Sequence, residues 1–320
     1  LLKRTIQRAL STPVGWWASR PLRARGAIVL SYHRVCPPVE PFPSFDIALF
    51  REQMRWLARQ CRPISPDELE ENVRRPDRRR PPVLLTFDDG YRDYHDHIHP
   101  VLAELGIPAV VFLTTGFIDD PGRLFWWDKV HLAAHRTSRK VVKLPWDAQA
   151  FTLEDAASRR FLMRAVKNHL RRIAEPRRGG LLASLLEELG SPDLEAPRQM
   201  LTWDEVRALQ GLTTWGGHTH THPILALLGE DELEDEIRLC GERIEAETGT
   251  RPRYFAYPNG RCEDFTAATR AALSRHGFEV AFATEEGVNG PGTDFLAVKR
   301  IPGGGTVPEF AWTVSGISAA

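Results

Sequence analysis

Hydrophobic positions along this chain follow two alternating rhythms. Short apolar runs, AIVLSYHRV (27–35), VLLTFDDG (83–90) and AVVFLTTG (109–116), read as buried strands. Between them the apolar residues recur every three or four positions, as in ALFREQMRWLARQ (48–60), ISPDELEENVRR (64–75, with Ser65 as its cap) and HPVLAELG (99–106), which predicts amphipathic helices. The rhythm returns in the second half. TTWGGHTH (213–220), YFAYPNG (254–260), EVAFAT (279–284) and FLAVKRI (295–301) read as strands, separated by helices over 230–249 and 265–277 that close on Gly249 and Gly277. Repeated βα units imply a parallel sheet, open or closed, with ligands at the carboxyl ends of the strands. The polar residues just after each strand are therefore where chemistry is expected.

One region breaks the rhythm. From about 119 to 199 the chain is helical and basic, with KVVKL as its one strand-like run, and reads as an insertion. It could act as a lid, with Trp126 and Trp127 offering sugar platforms, although core packing is the ordinary use of two tryptophans. Residues 1–26 form a separate arm or helix, which leaves 27–320 for the main domain with its insertion. As a helix the arm places Ile6 and Leu10 on one side, with Trp16 and Trp17 suited to an interface. Packing on the main domain is the expected role, and peripheral membrane contact the alternative.

Composition narrows the classes. At 320 residues and 42% hydrophobic the chain can bury one large core or two smaller ones. Lys plus Arg and Asp plus Glu both number 42, so no global field draws it to nucleic acid; only the insertion carries enough basic residues for such a face. Cys36, Cys61, Cys240 and Cys262 are scattered, without a CxxC pair, and read as reduced thiols. No apolar run approaches the roughly 20 residues of a membrane span, and the expected compartment is the cytoplasm, with the arm at the membrane surface as its variant.

Asp88 and Asp89 stand at the end of a buried strand with Gly90 behind them. Two adjacent carboxylates need a cation or a shared proton. A metal resolves the repulsion by binding one and keeping the other ionised as a base. The partners would be imidazoles, and two stretches offer them at the same spacing: His95 and His99 in YHDHIHP, His218 and His222 in HTHTHP. On a turn of helix either pair would share one face. The first copy opens an amphipathic helix, whereas the second follows an apolar strand and two glycines at the rim, which favours His218 and His222 and turns His220 elsewhere.

TFDDG, then HTHTHP, then FAYPNG resembles, in order and spacing, the leading motifs of the polysaccharide deacetylase family, the NodB homology domain of carbohydrate esterase family 4. The opening YHRV and the helical insert are similar to its exopolysaccharide-associated branch. The resemblance implies a distorted (β/α) barrel of about seven strands and a metal-dependent deacetylase acting on an N-acetylated poly- or oligosaccharide. It implies Asp88 as general base, Asp89, His218 and His222 as ligands of a divalent ion, usually Zn2+, and the Asn259 backbone N–H as oxyanion donor. Two features depart from the pattern. Where the family carries an arginine beside the base this chain has Ala256, so Arg300 or Arg253 is expected to orient it; the late Leu-x-His motif is absent, so His33 is the candidate general acid. A hydrolase of a non-sugar amide or cyclic imide, and a glycan-binding domain without catalysis, are the alternative readings.

Overall fold

The computed structural model describes residues 2–38, 41–77, 79–147 and 149–317. The chain divides into two compact units, one formed by 1–37, 44–120 and 200–320, the other by 38–43 and 121–199.

The larger unit is a parallel sheet wrapped by helices. Its strands are β1 (Ile28–Tyr32), β2 (Pro82–Phe87), β3 (Ala109–Leu113), β4 (Thr213–Gly217), β5 (Tyr254–Ala256), β6 (Val280–Phe282) and β7 (Ile301–Pro302). They lie in the order β6-β5-β4-β3-β2-β1-β7, and a short strand at Arg62–Pro63 adds to the start of β2. Every pairing among them is parallel, with Ile28 opposite Val83 and Leu85 opposite Ala109. One stretch of chain links the two ends of the sheet. Val298 bridges to Phe282 of β6, and a few residues later Ile301 pairs with Leu30 of β1. This is the distorted seven-stranded barrel that the motifs imply.

Strand periodicity fills the barrel. Val29, Leu84, Val110, Phe112, Ala256 and Phe282 form one buried cluster, with the Phe112 and Phe282 rings 5.2 Å apart. Burying each such phenylalanine contributes on the order of 2 kcal/mol. Gly216 makes room for it, since a Cβ there would come within 2.6 Å of the Phe112 ring and 2.7 Å of the Tyr254 carbonyl. On the outer face, Phe255, Phe278 and Leu273 pack with Leu233 and Ile237 of the long helix Glu230–Thr248. The helix Ile47–Gln60 begins at Asp46, whose carboxylate accepts from the Ala48 and Leu49 N–H groups. A cap of this kind contributes roughly 1 kcal/mol.

The amino-terminal segment forms helices Leu2–Ser11 and Pro13–Ala18, the first packed on the last helix, Val307–Ser315. Trp16 donates to the Gln60 carbonyl and meets Trp56 edge-on at 4.8 Å. Leu10 and Trp16 are buried, but Ile6 and Trp17 are not. Ile6 and Leu10 share a side of the first helix as their spacing predicts, but only the Leu10 end of that side, with the adjoining Gln7, is covered.

The smaller unit has its own core of Val130, Leu162, Val166, Leu170 and Leu185, drawn from helices Trp126–Arg136, Ala156–Leu170 and Arg177–Glu188. KVVKL does form a strand, Val141–Lys143, and it pairs antiparallel with Ala150–Thr152, a partner too short to be legible in the sequence. Trp126 packs against this core, and Trp127 stacks on Phe125 at 4.4 Å.

Candidate active site

Four strand ends, those of β1, β2, β4 and β5, and the stretch just before β7 build the site. β2 is buried along its whole length, and its pairing with β1 extends one residue further, the Asp88 N–H donating to the Tyr32 carbonyl. The backbone then turns sharply, with φ of 75° at Asp89 and 82° at Gly90. That turn ends the up-down alternation of a strand and lets two consecutive carboxylates serve one pocket. Among the described residues four non-glycines have positive φ: Asp89, Thr219, His222 and Asn259. All four belong to the three motif loops. Each conformation costs on the order of 1 kcal/mol, most for the β-branched Thr219, so backbone strain is concentrated where the chemistry is expected.

Asp89, His218 and His222 come together. Asp89 Oδ1 lies 3.5 Å from His218 Nε2 and 3.4 Å from His222 Nε2, and the two rings stand 4.8 Å apart at 75°. His218 continues the β4 pairing through its backbone, and its Nδ1 lies 2.7 Å from the Ala256 carbonyl. That bond places the ring proton on Nδ1 and leaves the Nε2 lone pair directed at Asp89. Asp89 Oδ1 is buried yet has no hydrogen-bond partner among the described residues. An acceptor in that state calls for a cation. Donors each about 2.1 Å from a tetrahedral ion lie about 3.4 Å apart, so these residues fit a divalent metal such as zinc.

The pair does not sit on a turn of helix, as its spacing suggested. Residues 218–222 form an irregular loop in which the His222 N–H bonds to Thr219 Oγ1. The loop is clamped from outside. Glu236, on the long helix, accepts from the His220 and Thr221 N–H groups at 2.8 Å each and from the Thr221 hydroxyl. On the other side Gly116 N–H donates to the His220 carbonyl, and Thr115 Oγ1 meets His220 Nδ1 at 2.9 Å, so His220 does turn away from the carboxylates. Sequence reasoning missed Glu236, because it sits in an acidic run, EDELEDE, that reads as a solvated helix face.

The second aspartate is held differently. Arg300 is 1% exposed and donates from Nη1 to Asp88 Oδ1 at 2.7 Å, while its Nε bonds the Ala283 carbonyl. Its Nη2 is buried without a partner among the described residues. Arg300 thus reaches Asp88 from the stretch that links β6 to β1. Arg253, the other candidate, is exposed and pairs with Asp67 and Glu279. His33 lies just past β1, half-exposed, with Nε2 3.8 Å from Asp88 Oδ2. Asn259 follows the buried Pro258 with φ 60°, and its N–H has no acceptor among the described residues.

Electrostatics separate the four groups. Burial alone would push the Asp88 carboxyl up, but the Arg300 guanidinium and the His218 and His33 rings outweigh it and hold it below the usual carboxylate range. Burial opposes ionisation of Asp89 too, and the His218 and His222 imidazoles hold it well below that range. For His218 burial favours the neutral ring, but the two aspartates prevail and raise it. His222 is lowered, its burial dominating over Asp89.

The other histidine copy lies in helix. Tyr94–Ile98 is a π-helical turn that leads into the α-helix His99–Leu105, and His95 Nδ1 meets the neighbouring Asp96 at 2.8 Å. Among the described residues Asp89, His218 and His222 are the one cluster of this type able to hold a metal.

Comparison with known proteins agrees in fold. A Streptococcus pyogenes deacetylase, PplD, solved with acetate, superposes with a TM-score of 0.60 at 16% identity, over 91% of this chain and 98% of that one. IcaB from Ammonifex degensii gives 0.59 at 22% identity over 93% and 99%, and the BpsB deacetylase domain from Bordetella bronchiseptica 0.53 at 18% over 87% and 96%. In sequence, the poly-β-1,6-N-acetyl-D-glucosamine N-deacetylase of Escherichia coli K12 is 30% identical over 111 residues, which cover 32% of this chain and only 16% of that relative. Residues 75–281, more than half of the chain and inclusive of all three motif loops, match the model of the polysaccharide deacetylase family, and the chain belongs to that family.

Proposed function

We infer that this protein removes N-acetyl groups from an N-acetylated glucosamine polysaccharide of the exopolysaccharide class, with a divalent cation, zinc by its donor set, held by Asp89, His218 and His222. The observation that carries the reading is the division of labour between the adjacent aspartates. Asp89 turns an unsatisfied oxygen to two imidazoles, while Asp88 has one oxygen tied to Arg300 and the other 3.8 Å from the His33 ring. A protein that only bound glycan would have no use for the second arrangement. The resemblance to the E. coli deacetylase, by its name active on poly-β-1,6-N-acetyl-D-glucosamine, supports the substrate class.

A cation in the Asp89 site would supply Lewis-acid polarisation of the acetamide carbonyl. Asp88 Oδ2 accepts the proton of the attacking water, the Arg300 bond on Oδ1 fixing the carboxylate plane and keeping it ionised. The Asn259 N–H donates to the oxyanion of the tetrahedral adduct. His33, 3.8 Å from Asp88 Oδ2 and open to solvent, delivers a proton to the leaving amine. Arg300 thereby takes the place of the arginine that the third motif lacks at Ala256.

Acetate release from poly-β-1,6-N-acetylglucosamine, chitooligosaccharide and a small cyclic imide, measured side by side, tests the reading. The glucosamine polymer should react, chelation should stop it and added zinc restore it. Asp88→Asn should keep its metal and lose about a thousandfold in turnover. Reaction of the imide alone would move the protein to another substrate class, and glycan binding without acetate release would remove it from the enzymes. In the pH-rate profile of His33→Ala the basic limb should vanish; an unchanged limb takes His33 out of the reaction.

A further inference from the structure

The amino-terminal segment differs from the rest of the surface. Eight large hydrophobic residues are exposed among the described residues, and five of them, Leu2, Ile6, Val14, Trp17 and Leu22, fall within the first 22 positions. Trp17 is 63% exposed and Leu22 70%. Exposed apolar residues scattered singly need no explanation, but a concentration of this kind does. Leu2 and Ile6 are spaced i, i+4 and share a stripe of the first helix that runs on to the buried Leu10, and both are exposed where that stripe leaves the packed end. The second helix folds back so closely on the first that a Cβ at Gly15 would strike the Ala9 carbonyl, and it carries Val14 and Trp17 on its exposed side.

Charge in the same segment is one-sided. Lys3, Arg4, Arg8, Arg20, Arg23 and Arg25 are basic, and no Asp or Glu occurs before Glu40, in a chain whose formal net charge is zero. Arg23 is buried over the Trp16 ring. Lys3, Arg4, Arg8 and Arg25 are exposed, and none makes a salt bridge among the described residues. Glu309, at the start of the last helix, is the acidic group that Lys3 and Arg4 feel, and it is already engaged in capping Thr306. Elsewhere many arginines have acidic partners, Arg51 and Arg55 with Glu104, Arg238 with Asp235 and Glu242, Arg253 with Asp67 and Glu279, while Arg75, Arg79 and Arg177 are exposed without a salt bridge among the described residues; the segment is set apart by its run of cations without any carboxylate between them.

We propose that residues 2–25 form a docking surface for an anionic lipid bilayer. An interfacial helix pair needs an apolar stripe to enter the headgroup boundary, cations beside it for lipid phosphates, and an aromatic ring to sit at that depth. This segment has all three, with the Arg20 guanidinium 5.8 Å from the centre of the Trp17 ring. No helix of the described residues is long and apolar enough to cross a membrane, and the contact proposed for residues 2–25 is an interfacial one. The proposal stands on the surface alone and is independent of the reaction assigned to the barrel.

Co-sedimentation with vesicles of phosphatidylcholine, with and without phosphatidylglycerol, tests it. The protein should sediment with the anionic vesicles and much less with the neutral ones. Raising the ionic strength from about 0.1 M to about 1 M, which shortens the screening length from roughly 10 Å to 3 Å, should weaken binding. Arg4→Gln with Arg8→Gln should lower the partition roughly fivefold for each cation removed. Trp17→Ser with Leu22→Ser should lower it at least about tenfold, with the unfolding midpoint unchanged because neither side chain is buried. Absence of vesicle binding by the wild type, or equal binding by wild type and both variants, overturns the proposal. So does self-association in the absence of lipid that these variants abolish, which would assign the surface to a second copy of the chain.

Discussion

Two stretches of this chain carry histidines four apart followed by proline, His95–His99 and His218–His222, and they have opposite fates. The first adopts the regular structure that the spacing invites. It is helical, its rings meet Asp96 and Tyr94, and neither contributes to the metal-type cluster. The second is not helical at all, and both of its imidazoles face one carboxylate oxygen. A helix would have set the two rings side by side on a surface. The irregular loop instead lets one histidine finish a buried strand while the other returns through a left-handed turn. Convergence thus comes from departure from regular geometry, held in place by Glu236, Thr115 and Thr219. Spacing selects candidates, and the clamp around them decides.

The contrast can be broken most directly by alanine. His222→Ala should lose the bound metal and reduce turnover by about a thousandfold or more, whereas His99→Ala should retain both, as elemental analysis and acetate release would report. A metal content that followed His99 instead would reverse the assignment of the two copies. The clamp itself comes next. Glu236→Gln keeps the shape but weakens three bonds to the loop, and should lower metal affinity roughly 10–100-fold with little change in the unfolding midpoint. Unaltered affinity would mean that Thr219 and Thr115 hold the loop unaided.

The smallest effect concerns a histidine–carboxylate pair with no metal role. Glu234 meets His276 at 2.6 Å and also pairs with Arg275, and these partners hold its carboxyl below its usual range. A depressed carboxyl stabilises the fold above its unfolded value, near 4.3, and the contribution is lost as pH falls through the lower folded value. Glu234→Gln should therefore cost less than about 1 kcal/mol at neutral pH, and the difference from wild type should disappear in acid. Urea titrations at neutral pH and below pH 4 would show it, and a loss of metal in this variant would contradict the separation drawn above.

Much of this was legible before any coordinates. The strand runs are apolar enough, and their terminal Asp-Asp-Gly and Gly-Gly-His punctuation abrupt enough, for the barrel and the convergence of Asp89, His218 and His222 to be read from pattern and resemblance. Arg300 was legible only as one of two candidates, since the pairing of a late strand with β1 is a long-range event that leaves no local trace. Ile6 shares a side with Leu10 as its spacing predicts, yet spacing does not tell how far along that side the protein covers it. Glu236 left no signal, its neighbours being equally acidic and mostly solvated.

Arg300 reaches the Asp88 carboxylate from the stretch of chain that joins both edges of the sheet, within the last two dozen residues. Alignment of the Asp88 carboxylate is for that reason a long-range event, resting on a partner 212 positions away. Asp89, His218 and His222 converge on loops of neighbouring motifs, whereas Asp88 finds its arginine only once the sheet has closed on β1.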